Sequence, residues 1–551
     1  MNKVFFLTAA FLFSMFANGQ DEMPEVWSTK FDHKIEWHGC DDSGNMGYGM
    51  VASDKEISVY ESETGKLTWT KSFKELAPRM RKVDDIILIT SAKKIFLLDL
   101  KVGKEQVAVI DLVTGKLDWD SDRYKLKSSD MISYISEEKA FLFTFKDVNV
   151  LVEALTGEER WSTQKFKGKM GSYYYENGML TTVNFVPEEL LALVTGFKNQ
   201  IAKINMKTGE IVWENTYVGR AEQKILTKEF MYDLNVVDDK VVLELDGLQM
   251  YDYKTGAQLW SAAFAYDRIL RKPVNASKFG VYGGVARPVF TDSHVYVIDM
   301  SGKSKQYIKK YDKQTGKLVW TSEEISGGAK VMPNLYVVDD KVIVQIGGIV
   351  EIQGIFKEST TNSTGQSVRV EVAKVYDESV KPYGVQAFSD ADGRLAWDSE
   401  RFKKGITNMY RHGSDNMIVS SGKALYSMKI QDGEVNYEVD AKNGGVGKVV
   451  MILNNNDNVV TIGEKGVSTF NAETGALIAS NKYKRASLRE YTGNILILET
   501  PVQDIAAFDV ADNCKYWKHN ARKESTSSLT DDGTHVYVME KKTVTKLKTK
   551  P

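Results

Sequence analysis

The run His38-Gly-Cys40-Asp41-Asp42 is the densest set of chemistry-bearing side chains in the chain. An imidazole, a thiolate and two carboxylates could ligate a metal, with pH-sensitive affinity because the ligands must first lose their protons. The same run also reads as a polar loop before a strand, and that reading is preferred, so no metal site is assigned. Cys40 and Cys514 are the only cysteines, which leaves no Cys-x-x-Cys-His haem site and no Cys-rich zinc site. Other histidines are scattered, with His294 and His535 in strand-like runs after turns. No Gly-x-Ser-x-Gly, Walker A or His-Glu-x-x-His pattern occurs. The many Asp-Asp and Asp-Gly pairs fall where turns are expected, and there carboxylates bond to their own backbone rather than move protons. No catalytic residue is assigned, and no cofactor-binding residue emerges.

What would position any site is a repeat. A Gly, usually after Thr, stands four residues before a Trp at Gly65/Trp69, Gly115/Trp119, Gly157/Trp161, Gly209/Trp213, Gly256/Trp260, Gly316/Trp320 and Gly393/Trp397. Weaker copies follow at Gly433/Tyr437, Gly475/Ala479 and Asn513/Trp517. Eight of the ten Trp residues occupy this one position. Before each turn apolar and polar residues roughly alternate, as in Leu248–Tyr253, which predicts a half-buried strand. Gly supplies the positive φ of a bulged hairpin, and the Trp is large enough to cover a neighbouring unit.

Between motifs the order is strand, Asp-Asp or Asn-Gly turn, strand, turn, strand. Four short strands per unit predict an all-β fold, a β-propeller of four-stranded antiparallel blades. The count gives eight or more blades and up to eleven, in one larger ring, in two propellers, or with some repeats short of full blades. Glu25–Phe31 resembles a final strand lacking its unit, and Ser528–Lys548 supplies strands lacking a final one, so N- and C-terminal strands are expected to close the ring. Two insertions stand out. Gly347–Tyr376 reads as a projecting hairpin and Pro187–Gly196 as a short helix, either able to bind a partner or to decorate a blade. The lysines of Lys541–Lys550 read as the exposed face of a last strand, where charge discourages edge pairing.

Net charge is −2 with 26% charged residues, so there is no basic field of the kind nucleic acid attracts. Residues 1–19 carry a Lys, a short apolar run and a small-residue end, the pattern of a signal peptide cleaved near Gly19. That run is shorter than a membrane span, and no later segment reaches that length. Residues 20–551 are therefore expected to form one repeat domain, periplasmic or secreted. Export permits a Cys40–Cys514 bridge, although the two fall in different units with one between.

The pattern Asp-x-x-Thr-Gly-x-x-x-Trp, as in Asp111–Trp119, Asp252–Trp260 and Asp312–Trp320, resembles the tryptophan-docking motif of quinoprotein-type (PQQ-like) β-propellers. In that family Thr-Gly turns from the third to the outer strand and the Trp docks between blades. Here the Asp position is Glu61, Glu153, Asn205, Ser389, Lys429 or Asn471 in other copies, and the Trp position is Tyr437 or Ala479. One branch of the family comprises dehydrogenases with PQQ, Ca²⁺ and a vicinal disulfide. This sequence has no adjacent Cys pair. It looks more like the cofactor-free branch of BamB-like scaffolds. The resemblance then implies a non-catalytic protein-binding scaffold with protein partners in the cell envelope, assisting outer-membrane or secreted protein assembly. The alternatives are a PQQ/Ca-dependent oxidoreductase and an extracellular glycan- or ligand-binding propeller.

Overall fold

The computed structural model describes residues 22–40, 47–101, 104–124, 131–145, 148–166, 169–185, 198–218, 233–245, 247–264, 276–281, 284–301, 305–326, 330–361, 367–441, 444–483, 487–500, 504–522 and 525–551. The expected signal segment, Asp41, Asp42 and the Pro187–Gly196 insertion lie outside them.

The described strands form eleven antiparallel sheets, ten with four strands and one with five. In chain order we call them blade 1 (37–72), blade 2 (85–120), blade 3 (131–163), blade 4 (169–218), blade 5 (233–263), blade 6 (289–321), blade 7 (335–398), blade 8 (406–440), blade 9 (449–482), blade 10 (487–520) and blade 11 (526–548 with 25–30). The N-terminal strand Glu25–Lys30 pairs antiparallel with Thr543–Lys548, so the last blade is built from both ends of the chain. Every repeat counted in the sequence, degenerate ones included, is a full blade.

The core is divided rather than central. Each of eleven described hydrophobic clusters spans two successive blades, from Val59 with Leu97 between blades 1 and 2 to Val536 with Ile497 between blades 10 and 11. The remaining one joins Tyr537 and Val544 of blade 11 to Val51 and Tyr60 of blade 1. The blades therefore form one closed ring of eleven, larger than the four to eight typical of propellers.

Because each sheet is covered on both faces, its middle strands are mostly buried on both sides rather than alternating. Gly247–Tyr251 is buried along its length, which corrects the half-buried reading of Leu248–Tyr253. Its polar member Gln249 accepts a 2.8 Å bond from the Tyr251 hydroxyl. A second correction concerns the C-terminal lysines. Thr543–Lys548 is an interior strand paired on both sides, and Lys546 is 6% exposed.

Blade 7 carries the projecting hairpin. Strands Lys341–Thr361 and Ser367–Ser389 stay paired out to Thr361 and Ser367, with a register shift at Gly348. A strand from the connection before blade 6, Ala276–Val281, pairs with the projecting part as its fifth strand. The only described α-helix is Phe73–Leu76, capped by Ser72 and Glu75 in a reciprocal pair of hydrogen bonds. No helix among the described residues is long and apolar enough to cross a membrane.

Candidate functional site

The motif residues meet at the blade junctions. Each motif turn that carries Gly, after Thr or after Asp, places it at positive φ, from +61° at Gly115 to +74° at Gly393. That Gly lies against the Trp of the preceding blade: a Cβ on Gly316 would come within 2.4 Å of the Trp260 ring, and one on Gly157 within 2.5 Å of Trp119. Glycine is required twice over, by the backbone conformation and by the indole stacked on it.

The indole N–H then reaches a carbonyl two residues after the third strand's last buried position. Trp69 donates to Leu112, Trp119 to Ala154, Trp161 to Met206, Trp213 to Tyr253, Trp260 to Lys313, Trp320 to Asp390 and Trp397 to Ile430, all at 2.8–3.0 Å. Trp27, outside the repeat count, does the same to Ser62 at 3.0 Å across the closing junction. Tyr437 substitutes its hydroxyl, donating to Ala472 at 3.0 Å. Among the described residues Trp517 has no acceptor for its indole N–H; the turn it would meet in blade 11 is where the two chain ends come together.

The Asp of the motif accepts from the Thr amide and hydroxyl, as Asp312 does from Thr315 at 2.8 and 2.7 Å. Where Asp is replaced the turn survives, because its closing bond is made by backbone. Gly393 N donates to Ser389 O at 2.9 Å and Gly433 N to Lys429 O at 3.0 Å.

One recurring device was missed in the sequence. Lys203, Lys310 and Lys546 stand directly across from Trp213, Trp320 and Trp27 on the neighbouring strand. Each is at most 9% exposed and donates to the same carbonyl as its Trp: Tyr253 at 3.2 Å, Asp390 at 3.0 Å and Ser62 at 3.2 Å. Lys203 also lies 3.4 Å from the centroid of the Tyr253 ring, whose face stabilises the cation. For Lys203 and Lys310 the available signal was a lysine ten residues before a motif Trp, whereas Lys546 and Trp27 meet only through closure of the ring.

The remaining sequence candidates do not converge. His38 Nε2 lies 3.2 Å from the Tyr60 hydroxyl, and desolvation holds its pKa down at about 4. Cys40 donates to the Ser528 hydroxyl at 3.4 Å, while Cys514, fully buried, lies 3.3 Å from Thr469 Oγ1. Neither cysteine is in a disulfide, so the permitted bridge is not formed. Burial pushes the Cys514 thiol pKa up. Among the described residues no three His, Cys, Asp or Glu side chains gather as metal ligands would.

Two clefts remain. One of about 620 Å³ opens at the seam of blades 11 and 1, beside Lys34, Glu36, His38, Ser528 and Lys541. The other, about 370 Å³, lies between blades 9 and 10 beside Ala479, where the motif Trp is missing.

The family model described as outer membrane protein assembly factor BamB matches residues 24–260 and 233–355. No curated protein matches the sequence. Among solved structures, BamB from Moraxella catarrhalis is 13% identical, covering 82% of this chain and 98% of that chain at a TM-score of 0.29. The computationally designed Ika8 protein is 12% identical, covering 83% and 98% at 0.29. A europium-containing methanol dehydrogenase is 10% identical, covering 69% and 84% at 0.26. At these identities and scores the structural likenesses carry no argument about function.

Proposed function

The chain belongs to the outer membrane protein assembly factor BamB family, and from that premise we propose that it is a non-catalytic protein-binding scaffold of the cell envelope, assisting outer-membrane or secreted protein assembly. The observation that carries this reading is the family match, which spans more than half of the 551 residues. The geometry supports it in a second way. The residues that repeat through the chain are consumed in blade-to-blade docking, which builds a stiff ring and leaves its turns and the blade 7 hairpin to make contacts.

In this reading the protein is exported by a signal peptide ending near Gly19 and works in the periplasm or beyond without PQQ or Ca²⁺. Its partners are envelope proteins, and the hairpin of strands Lys341–Thr361 and Ser367–Ser389 is the first surface to mutate. In-cell crosslinking of the tagged protein, followed by mass spectrometry of the envelope fraction, tests it. Outer-membrane assembly or secretion components should be enriched. Recovery of the protein alone would count against the scaffold, and dye reduction on adding PQQ and Ca²⁺ would replace it with the oxidoreductase.

A further inference from the structure

We propose that the junction between blades 9 and 10 is a socket for an aromatic side chain, an indole above all, carried by a protein partner. That the carrier is a protein rests on the scaffold reading. The socket itself does not.

The ring supplies the template for its own vacancy. Nine of the eleven junctions are plugged by a Trp and one by Tyr437, each from the outer strand of the preceding blade. At the remaining one the outer strand presents Ala479, paired with Thr469 in the register that pairs Trp69 with Val59 and Trp161 with Leu151. The turn ahead of it is changed to match. It has no Gly, takes its left-handed conformations at Asn513 and Cys514, and lacks the bulge that the Gly-containing motif turns show. Without the bulge Tyr516 turns inward, stacking on Phe508 at 4.6 Å, and Cys514 is fully buried against Thr469. These two groups refill the inner part of the missing indole's place. The outer part stays open as the cleft of about 370 Å³.

Its walls suit a side chain arriving on a peptide. Ala479, Ile478 and Val510 form the apolar part, and Ile478 is 51% exposed. The Val510 amide donates to Asn494 O just as the Leu112 amide donates to Lys93 O, so the Val510 carbonyl stands where Leu112 accepts the Trp69 indole. No described side chain donates to it. Asn455, Asn458, Asn494 and Asn513 line the rim; Asn455 Nδ2 donates to Asn494 Oδ1 at 3.3 Å, and carboxamides are the donor and acceptor groups that a peptide unit needs. An aromatic anchor in a pocket within a polar rim is the usual form of an interface hot spot.

N-acetyl-L-tryptophanamide is the probe, followed by saturation-transfer NMR and calorimetry on the full mature chain with N-acetyl-L-leucinamide as control. Binding with a Kd on the order of 1 mM or tighter is expected for a fragment of this size, with the leucine analogue weaker. Ala479→Trp should abolish binding and raise the melting temperature, because the chain then supplies its own plug. Ile478→Glu, on the exposed edge, should weaken binding about tenfold with the melting temperature unchanged. The socket is overturned by absence of binding to the native chain, or by binding that survives Ala479→Trp. If that variant does not fold, undiminished binding in Ile478→Glu overturns it instead. Crosslinking to envelope proteins decides the scaffold reading separately, since it needs no tryptophanamide.

Discussion

Trp260 and Gly316 are two halves of one contact, and their variants should show it. Trp260 is 8% exposed and bonded to the Lys313 carbonyl, so Trp260→Ala should cost about 3–5 kcal/mol, as for other large buried aromatics. Gly316→Ala introduces a methyl 2.4 Å from the indole at φ +68°, and a non-glycine residue in that region costs about 1–3 kcal/mol before any clash. Removing the indole removes the clash, so the double variant should lose less than the sum of the single ones in thermal melts. Glu244 makes a residue-scale prediction of another kind. Burial pushes its pKa up to about 7 from an ordinary 4.5, with Arg287 pulling the other way and Asp233 adding to the rise. The folded protein then keeps a proton that the unfolded chain releases above about 4.5. This contribution to stability is fully present below pH 4.5 and is lost as the pH rises through 7. Glu244→Gln stays neutral throughout, so its melting temperature should fall less than the native protein's between pH 4.5 and 7.5, a difference of slope that parallel melts would reveal.

At the scale of the blade junction, the bond made by each indole can be separated from its packing. Trp161 is 8% exposed and Trp517 3%, but among the described residues only Trp161 has an acceptor, the Met206 carbonyl at 2.8 Å. Trp161→Phe should therefore cost about 1 kcal/mol more than Trp517→Phe, the net worth of a hydrogen bond, and equal losses in melting would mean that packing alone sets the junction. The blades were legible because their information is local. Gly at a position needing positive φ, followed four residues later by Trp, states both the turn and the plug. What could not be read was long-range or double-valued. Lys310 on a strand reads as solvent-facing, yet it is buried because its partner carbonyl sits 80 residues away at Asp390. Tyr516 occupies the position that is exposed Asp118 in blade 2, and only the absence of a bulge turns it inward. His38 and Cys40 looked like ligands by proximity, but each is taken up by its own partner, His38 by the Tyr60 hydroxyl and Cys40 by the Ser528 hydroxyl.

The whole molecule is a closed array in which each blade touches two neighbours, so its stability is close to a sum of junction terms, with closure supplying the eleventh. The eleventh depends on a short piece of chain. Glu25–Lys30 brings the fourth strand to blade 11, the Trp27 indole to Ser62, and Phe31 to the cluster with Tyr60. Met23 is part of the neighbouring cluster, and its amide donates to the Lys518 carbonyl at 2.9 Å, which ties the segment to blade 10 as well. Deleting residues 22–31 should do two things at once. It strips a junction of its plug, lowering the melting temperature by more than the single substitution Trp27→Ala. It also uncovers the edge of Thr543–Lys548, a row of unpaired backbone groups flanked by apolar Val544 and Leu547, which invites pairing with another copy. Light scattering on a size-exclusion column should then show concentration-dependent association that Trp27→Ala, with its strand still in place, does not. A deletion variant that stays monomeric and melts with the native protein would mean that the ten other junctions hold the ring without its clasp.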